Sequence, residues 1–187
     1  RHIMKRIFLI LIACSLVSAC NTNPSGTNSS KEPEKNKEIT EKISFNEPDI
    51  PSREAVAIQR LKDIRTLQNA HKNVKGYYAS TMDSLKMFYN EGLKETLFLD
   101  RTDFCVDSLA YIPFSGGDTV IMRSVIRYVS GVKVPVFEAK MPYSSLLRGL
   151  DDQSVSKIIS SRENQGLYPG FMVGDVERPN NNAGNWE

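Results

Sequence analysis

Hydrophobic and polar positions divide the chain into stretches of different period. An apolar run from Ile7 to Ala13 follows Lys5 and Arg6 and closes on Val17-Ser18-Ala19-Cys20. Basic residues, a short apolar segment and small residues before a cysteine have the form of a lipoprotein leader; the run is far shorter than the ~20 residues of a spanning helix. Cleavage is expected before Cys20, whose thiol is expected to carry lipid. Arg1-His2-Ile3 reads as a cloning remnant or an upstream start. The division expected is a signal peptide over 1–19, a lipidated Cys20 and tether over 20–48, and one globular domain over 49–187. Asn21 to Pro48 holds almost no apolar surface to offset the entropy of ordering it.

Helical periodicity begins after the tether. Ala57, Leu61, Ile64, Leu67, Ala70 and Val74 fall on about half the circumference at 100° per residue. Gln59, Lys62, Asp63, Thr66 and Asn69 take the other side. The pattern predicts a helix over Arg53–Lys75, capped by Ser52, with Glu54 in its first turn and Gly76 stopping it. A second helix is expected over Met82–Glu91, capped by Thr81 or Ser80 and ended by Gly92, with Leu85, Phe88 and Tyr89 inward.

Beyond Gly92 the residues turn β-branched and aromatic. Thr96–Leu99, Leu109–Phe114, Thr119–Met122, Val125–Val129 and Val132–Ala139 read as strands, with Ser115–Asp118 and Ser130-Gly131 as turns. Pro113 and Pro135 cannot donate to a ladder and belong at an edge, a strand end or a bulge. Asp151–Arg162 reads as a short helix with Val155, Ile158 and Ile159 inward, and Phe171–Val176 as a last strand. Helices first and strands after predict an α+β domain: a long N-terminal amphipathic helix on an antiparallel sheet, with one or two short extra helices.

Charge changes the picture once the leader is set aside. The chain has 24 basic and 22 acidic residues. Arg1, Lys5 and Arg6 lie in the leader with no acid, which leaves 21 against 22 in the mature chain. That balance argues against a nucleic-acid partner and offers no basic patch for anionic lipid. Of the three cysteines, Cys14 leaves with the leader and Cys20 is taken by lipid. Cys105 then stands alone, without a disulfide framework, and reads as a small buried hydrophobe.

Candidate chemistry is sparse. His71 falls on the apolar face of the first helix, with no second ligand or base at useful spacing, and reads as a packed histidine. Asp100, Asp103 and Asp107 are the densest carboxylates beside apolar sequence. Oxygen ligands at that spacing suit calcium, but the alternation and turn glycine of an EF-hand loop are missing, so no metal is assigned. Asp151-Asp152 reads as a helix cap. Ser115-Gly116-Gly117 lacks the Gly-Lys-Ser/Thr of a phosphate cradle, and the serine pairs lack a GxSxG context. No catalytic residue and no cofactor are expected. Trp186, in the tail Asn180-Asn-Asn-Ala-Gly-Asn-Trp-Glu187, has two readings: a staple of the tail onto the domain, or a ring that stacks on a sugar or a partner.

Ala57–Ala70 followed by Gly76-Tyr77-Tyr78 resembles the helix and turn of type IV pilins and type II secretion pseudopilins. Ala57–Thr66, Asp107–Phe114, Ser130–Ala139, Tyr168-Pro-Gly170 and Asn180–Glu187 are similar to a family of envelope lipoproteins from Gram-negative gut-type bacteria. This resemblance covers residues 53–187. Pilins keep an apolar helix in the membrane where this chain has a lipoprotein leader, so assembly through such a helix does not carry over. The expected anchor, the long tether and the lack of a convergent catalytic set point to a non-enzymatic, lipid-anchored scaffold or interaction module. Its partners would be the membrane and other envelope proteins, at the outer membrane or the periplasmic face of the inner membrane. The alternative is a lipoprotein that binds a small ligand or glycan, in the groove between helix and sheet or at the Trp186 tail.

Overall fold

The computed structural model describes residues 49–187. The leader, Cys20 and the tether lie outside these residues. The domain is α+β, with helices beside a three-stranded antiparallel sheet.

Helix α1 spans Ile50–Lys75. Its N-cap is Asp49 rather than Ser52: the Asp49 carboxylate accepts from the Ser52 amide at 3.0 Å. Pro51 lies in the first turn, where its missing N–H costs nothing, so the helix starts earlier than its apolar period suggests. Glu54 is accordingly past the first turn and accepts from the Tyr143 hydroxyl at 2.9 Å. Gly76 ends the helix at φ +85°. The buried side carries Ala57, Leu61, Ile64 and Leu67, but also Arg53, Asp63, Gln68 and His71. Val74, expected inward, is exposed.

The buried polar side chains of α1 are hydrogen-bonded. Gln68 clasps the backbone of Ala79 through both ends of its amide, at 3.0 and 2.9 Å. Arg53 donates to the carbonyls of Leu146 and Arg148 and lies 4.9 Å from the centre of the Phe114 ring. An unpaired guanidinium there would be costly, so these contacts fix how the start of α1 meets the rest of the domain. Helix α2 (Met82–Gly92) is capped by the Thr81 hydroxyl. Gly92 is its last residue rather than a left-handed stop, and Leu93 follows in a right-handed conformation.

The sheet has three strands: β1 (Ile121–Val129), β2 (Val132–Pro142) and β3 (Gly170–Gly174), in that spatial order. The two expected segments 119–122 and 125–129 join into β1, because Arg123 points to Glu177 and Ser124 to the Tyr78 carbonyl without breaking the ladder. Ser130 at φ +51° and Gly131 at φ +81° form the two-residue turn whose twist matches the strands. Pro135 faces Ile126 of β1, upstream of Glu138–Pro142 where β3 pairs, so it deprives β3 of no donor.

Two expected strands are absent. Thr96–Leu99 is a run of turns, and Phe98, at φ +62°, stacks on Phe104 with ring centres 4.0 Å apart. Its apolar residues feed a side cluster with Tyr89 instead of a ladder. In Leu109–Phe114 a 3-10 helix over Val106–Ala110 uses the first residues, and only Tyr111 bridges to Thr119. Pro113 and the left-handed Phe114 prevent more.

Helix α3 (Tyr143–Leu146) is one short turn, and α4 (Asp152–Asn164) is capped by the Asp151 carboxylate on the Ser154 amide at 2.8 Å. Val155, Ile158 and Ile159 of α4 are half-buried against the core. That core joins α1 to Phe137, Ala139 and Met141 of β2 and to Phe171 and Val173 of β3. Among the described residues no helix is long and apolar enough to cross a membrane.

Candidate functional site

His71 is buried, and its Nδ1 lies 2.7 Å from the Tyr77 carbonyl oxygen. A carbonyl only accepts, so Nδ1 carries the proton. Tyr77 and Phe88 meet the ring edge-on. The imidazole is packed between α1 and α2, and among the described residues no carboxylate is in hydrogen-bond contact with it.

The carboxylates considered for calcium are spread apart. Arg101 holds Asp103 with two bonds of 2.7 Å and reaches back to Asp63 on α1 at 2.9 and 3.3 Å. The hydrogen bonds from Arg101 draw the Asp103 carboxyl below its ordinary range. Asp107 pairs instead with Lys86 of α2, and Asp100 is exposed. Among the described residues no group of three or more His, Cys, Asp or Glu side chains is placed to hold a metal ion. The Asp63–Arg101 pair also explains why Asp63, read as a solvent-facing residue, is buried: a carboxylate can be buried when a guanidinium fork meets it. Cys105 is exposed, contrary to the expectation of burial. Its neighbours Phe104 and Val106 both pack inward where the 3-10 helix begins, which turns the residue between them out.

The tail is stitched to the free edge of β3. Gly174 N–H donates to Ala183, Asn185 N–H to Met172, and the Asn185 side chain accepts from Met172 and donates to Gly170, all between 2.9 and 3.1 Å. Asn182 reaches the Tyr78 hydroxyl at 2.7 Å, and Glu187 pairs with Arg65 of α1 at 2.7 Å. Trp186 lies half-buried, edge-on to Phe171, with its Nε1 buried and without a hydrogen-bond partner. Ser115, in the Gly-Gly turn, is fully buried; its hydroxyl donates to the Ile112 carbonyl and accepts from the Asp118 amide. It is a turn lock, not a phosphate cradle.

What remains open is the opposite edge of the sheet. β2 is flanked by β1 and β3, and the tail covers β3, but β1 has β2 as its one neighbour over nine residues. Among the described residues no backbone group outside β2 bonds to the backbone of β1. Ile121, Ile126, Tyr128 and Val129 of this strand are all more than half exposed. Sequence reasoning missed this surface because strand-forming composition does not say which edge of a strand finds a neighbour. The interface between α1 and the sheet is filled by Ala57, Leu61, Ile64 and Leu67, each with no exposed surface.

No family model, curated protein or solved structure matches the chain.

Proposed function

We propose that this is a lipid-anchored envelope protein whose domain is a non-enzymatic interaction module, held through Cys20 at the outer membrane or the periplasmic face of the inner membrane. One observation carries the reading: the nine-residue edge of β1 has no strand beside it, while residues 183–185 of the C-terminal tail cover β3. Unpaired N–H and C=O groups along an edge are a template for another strand. The partner is therefore an extended segment of another envelope protein, added beside β1, with backbone bonds supplying affinity and alternate side chains supplying selectivity. The arrangement of a long helix on a small antiparallel sheet is pseudopilin-like in this reading, with the lipid anchor replacing the membrane helix. The ligand-binding alternative has Trp186 as its remaining candidate, and the packing of that ring against Phe171 favours the module.

Photocrosslinking in living cells tests this. A benzophenone amino acid at Ile121, on the open edge, is expected to give discrete adducts whose crosslinked peptide maps to one extended segment of an envelope protein. The same probe at Met87, exposed on α2, is the control. Absence of adducts at Ile121, or the same adducts at both positions, would overturn the reading.

A further inference from the structure

Strand β1 carries two arginines and no acid. Arg123 and Arg127 are four positions apart, so they stand on one face of the strand. On the other face the Gln68 amide of α1 donates to the Met122 sulfur at 3.2 Å, and the Ser124 hydroxyl donates to the Tyr78 carbonyl at 3.3 Å. That face is turned to α1, and the arginines are turned away from it. Their side chains are 55% and 36% exposed. Both guanidinium groups converge on one carboxylate, Glu177. The hydrogen bond from Arg127 and then its charge draw the Glu177 carboxyl below its ordinary range, and Arg123 adds to the effect.

Two further acids lie nearby. Glu138 of β2 stands across the ladder from Arg123, but it is buried, pairs with Lys140 at 2.8 Å and accepts from the Val176 amide at 3.4 Å. Asp175 keeps its charge and accepts from the Glu177 and Arg178 amides at 2.7 and 2.9 Å. Among the described residues it forms no ion pair with either arginine. At the open edge, one carboxylate is therefore shared by two guanidinium groups. The alternate positions are apolar: Ile126 and Tyr128 are 54% and 67% exposed, and Ile126 lines a shallow groove with Tyr77 and Pro135. A two-residue turn closes on a pair that exchanges both backbone bonds, here Val129 and Val132. Odd-numbered residues of β1 thus bond to β2, and the backbone groups of Met122, Ser124, Ile126 and Tyr128 point to the open side.

We propose that this edge selects an acidic strand: an extended segment with two carboxylates four residues apart facing Arg123 and Arg127, and apolar side chains facing Ile126 and Tyr128. The inference rests on the β1 edge as the docking surface and names the chemistry of what docks there. Such a segment supplies the acid that Glu177 alone does not, since opposite charges on facing strand positions attract and like charges repel. The same rule disfavours a second copy of the chain. Fully overlapped antiparallel β1 strands would set Arg123 of each copy against Arg127 of the other. Parallel strands in register would set each arginine beside its own counterpart, and neither arrangement brings an acid. The arginines keep the open edge from closing on itself and admit a partner of opposite charge.

Synthetic peptides added to the full-length protein test this. Each alternates threonine and valine over the nine-residue length of β1, with glutamate, glutamine or lysine at the third and seventh positions. That pattern reads the same in both strand directions. The glutamate peptide is expected to protect the Ser124, Ile126 and Tyr128 amides from hydrogen exchange. With two facing charge pairs it should bind roughly tenfold more tightly than the glutamine peptide and roughly a hundredfold more tightly than the lysine peptide. Glu177→Gln releases both guanidinium groups and should tighten the glutamate peptide about threefold. Arg123→Gln with Arg127→Gln should abolish the differences among the peptides; if that pair folds poorly, Arg123→Gln alone should halve them on a logarithmic scale. Equal binding of the glutamate and lysine peptides, or no protection by the glutamate peptide, would overturn the proposal. Protection of the same amides in a peptide-free dimer would assign the edge to a second copy and overturn it too. Adducts at Ile121 that map to a segment without paired carboxylates would overturn the acidic strand and leave strand addition standing, whereas absence of adducts removes the docking edge itself.

Discussion

Replacing Trp186 separates a stapled tail from a ring offered to a ligand. A tryptophan buries roughly 150–250 Å² when fully covered, so a half-buried ring removes about 100 Å² from water. At ~25 cal/mol per Å² that burial contributes about 2.5 kcal/mol. The orphaned Nε1 works against it, since a buried donor without a partner costs roughly 1–3 kcal/mol. Trp186→Ala loses the whole apolar contact against Phe171 and loosens the Asn185 bonds beside it, for an expected loss of about 2–3 kcal/mol. Trp186→Phe keeps a ring and removes the orphaned donor, so its cost should stay below ~1 kcal/mol. Gly184 gives an independent route to the same contact: a Cβ there would come within 2.3 Å of the indole, so Gly184→Ala should resemble Trp186→Ala. Equilibrium urea unfolding reads all three. With a slope near ~2 kcal/mol per molar, Trp186→Ala should lower the midpoint by about 1 M without changing the slope. A Trp186→Ala midpoint equal to wild type, or equal to that of Trp186→Phe, would refute the staple. If sugar binding were lost at the same time, the tail would be a ligand platform instead.

Two further outcomes follow from backbone and cap geometry. At Gly174 (φ +68°) a Cβ would lie 2.2 Å from the Phe137 carbonyl oxygen, whereas at Gly131 (φ +81°) it would meet open space. Gly174→Ala should therefore cost about 3 kcal/mol or more and Gly131→Ala only ~1 kcal/mol, both read by thermal unfolding; equal costs would mean that β2 and β3 separate readily. The hydrogen bonds from Ser154 hold the Asp151 carboxyl below its ordinary value. A depressed folded pKa means the cap's contribution is complete above the unfolded value near ~3.9 and is lost as pH falls through the lower folded one. Asp151→Asn should flatten that part of the acid-side melting curve while leaving neutral-pH stability close to wild type; an unchanged acid slope would remove Asp151 from the titration.

Local chemistry was legible from residue order alone. The Thr81 and Asp151 caps and the Ser130-Gly131 turn each depend on residues within a few positions of one another, and short-range sterics and hydrogen bonds suffice to specify them. The packed His71 was legible too, because a lone histidine on an apolar face has little else to do. Where partners lie far apart in the chain, sequence pattern misled. Asp63 is buried because Arg101, 38 positions on, reaches it; Cys105 is exposed because its two neighbours turn inward. Thr96–Leu99 had strand-forming residues but no neighbour to pair with. Strand formation needs a partner's backbone, and which edge has one is settled by the folded chain alone. The same holds for the surface that matters most: β-branched and aromatic residues mark β1 as a strand, but only tertiary packing leaves its outer edge without a neighbouring strand, because backbone hydrogen bonds need a partner close in space and not in sequence.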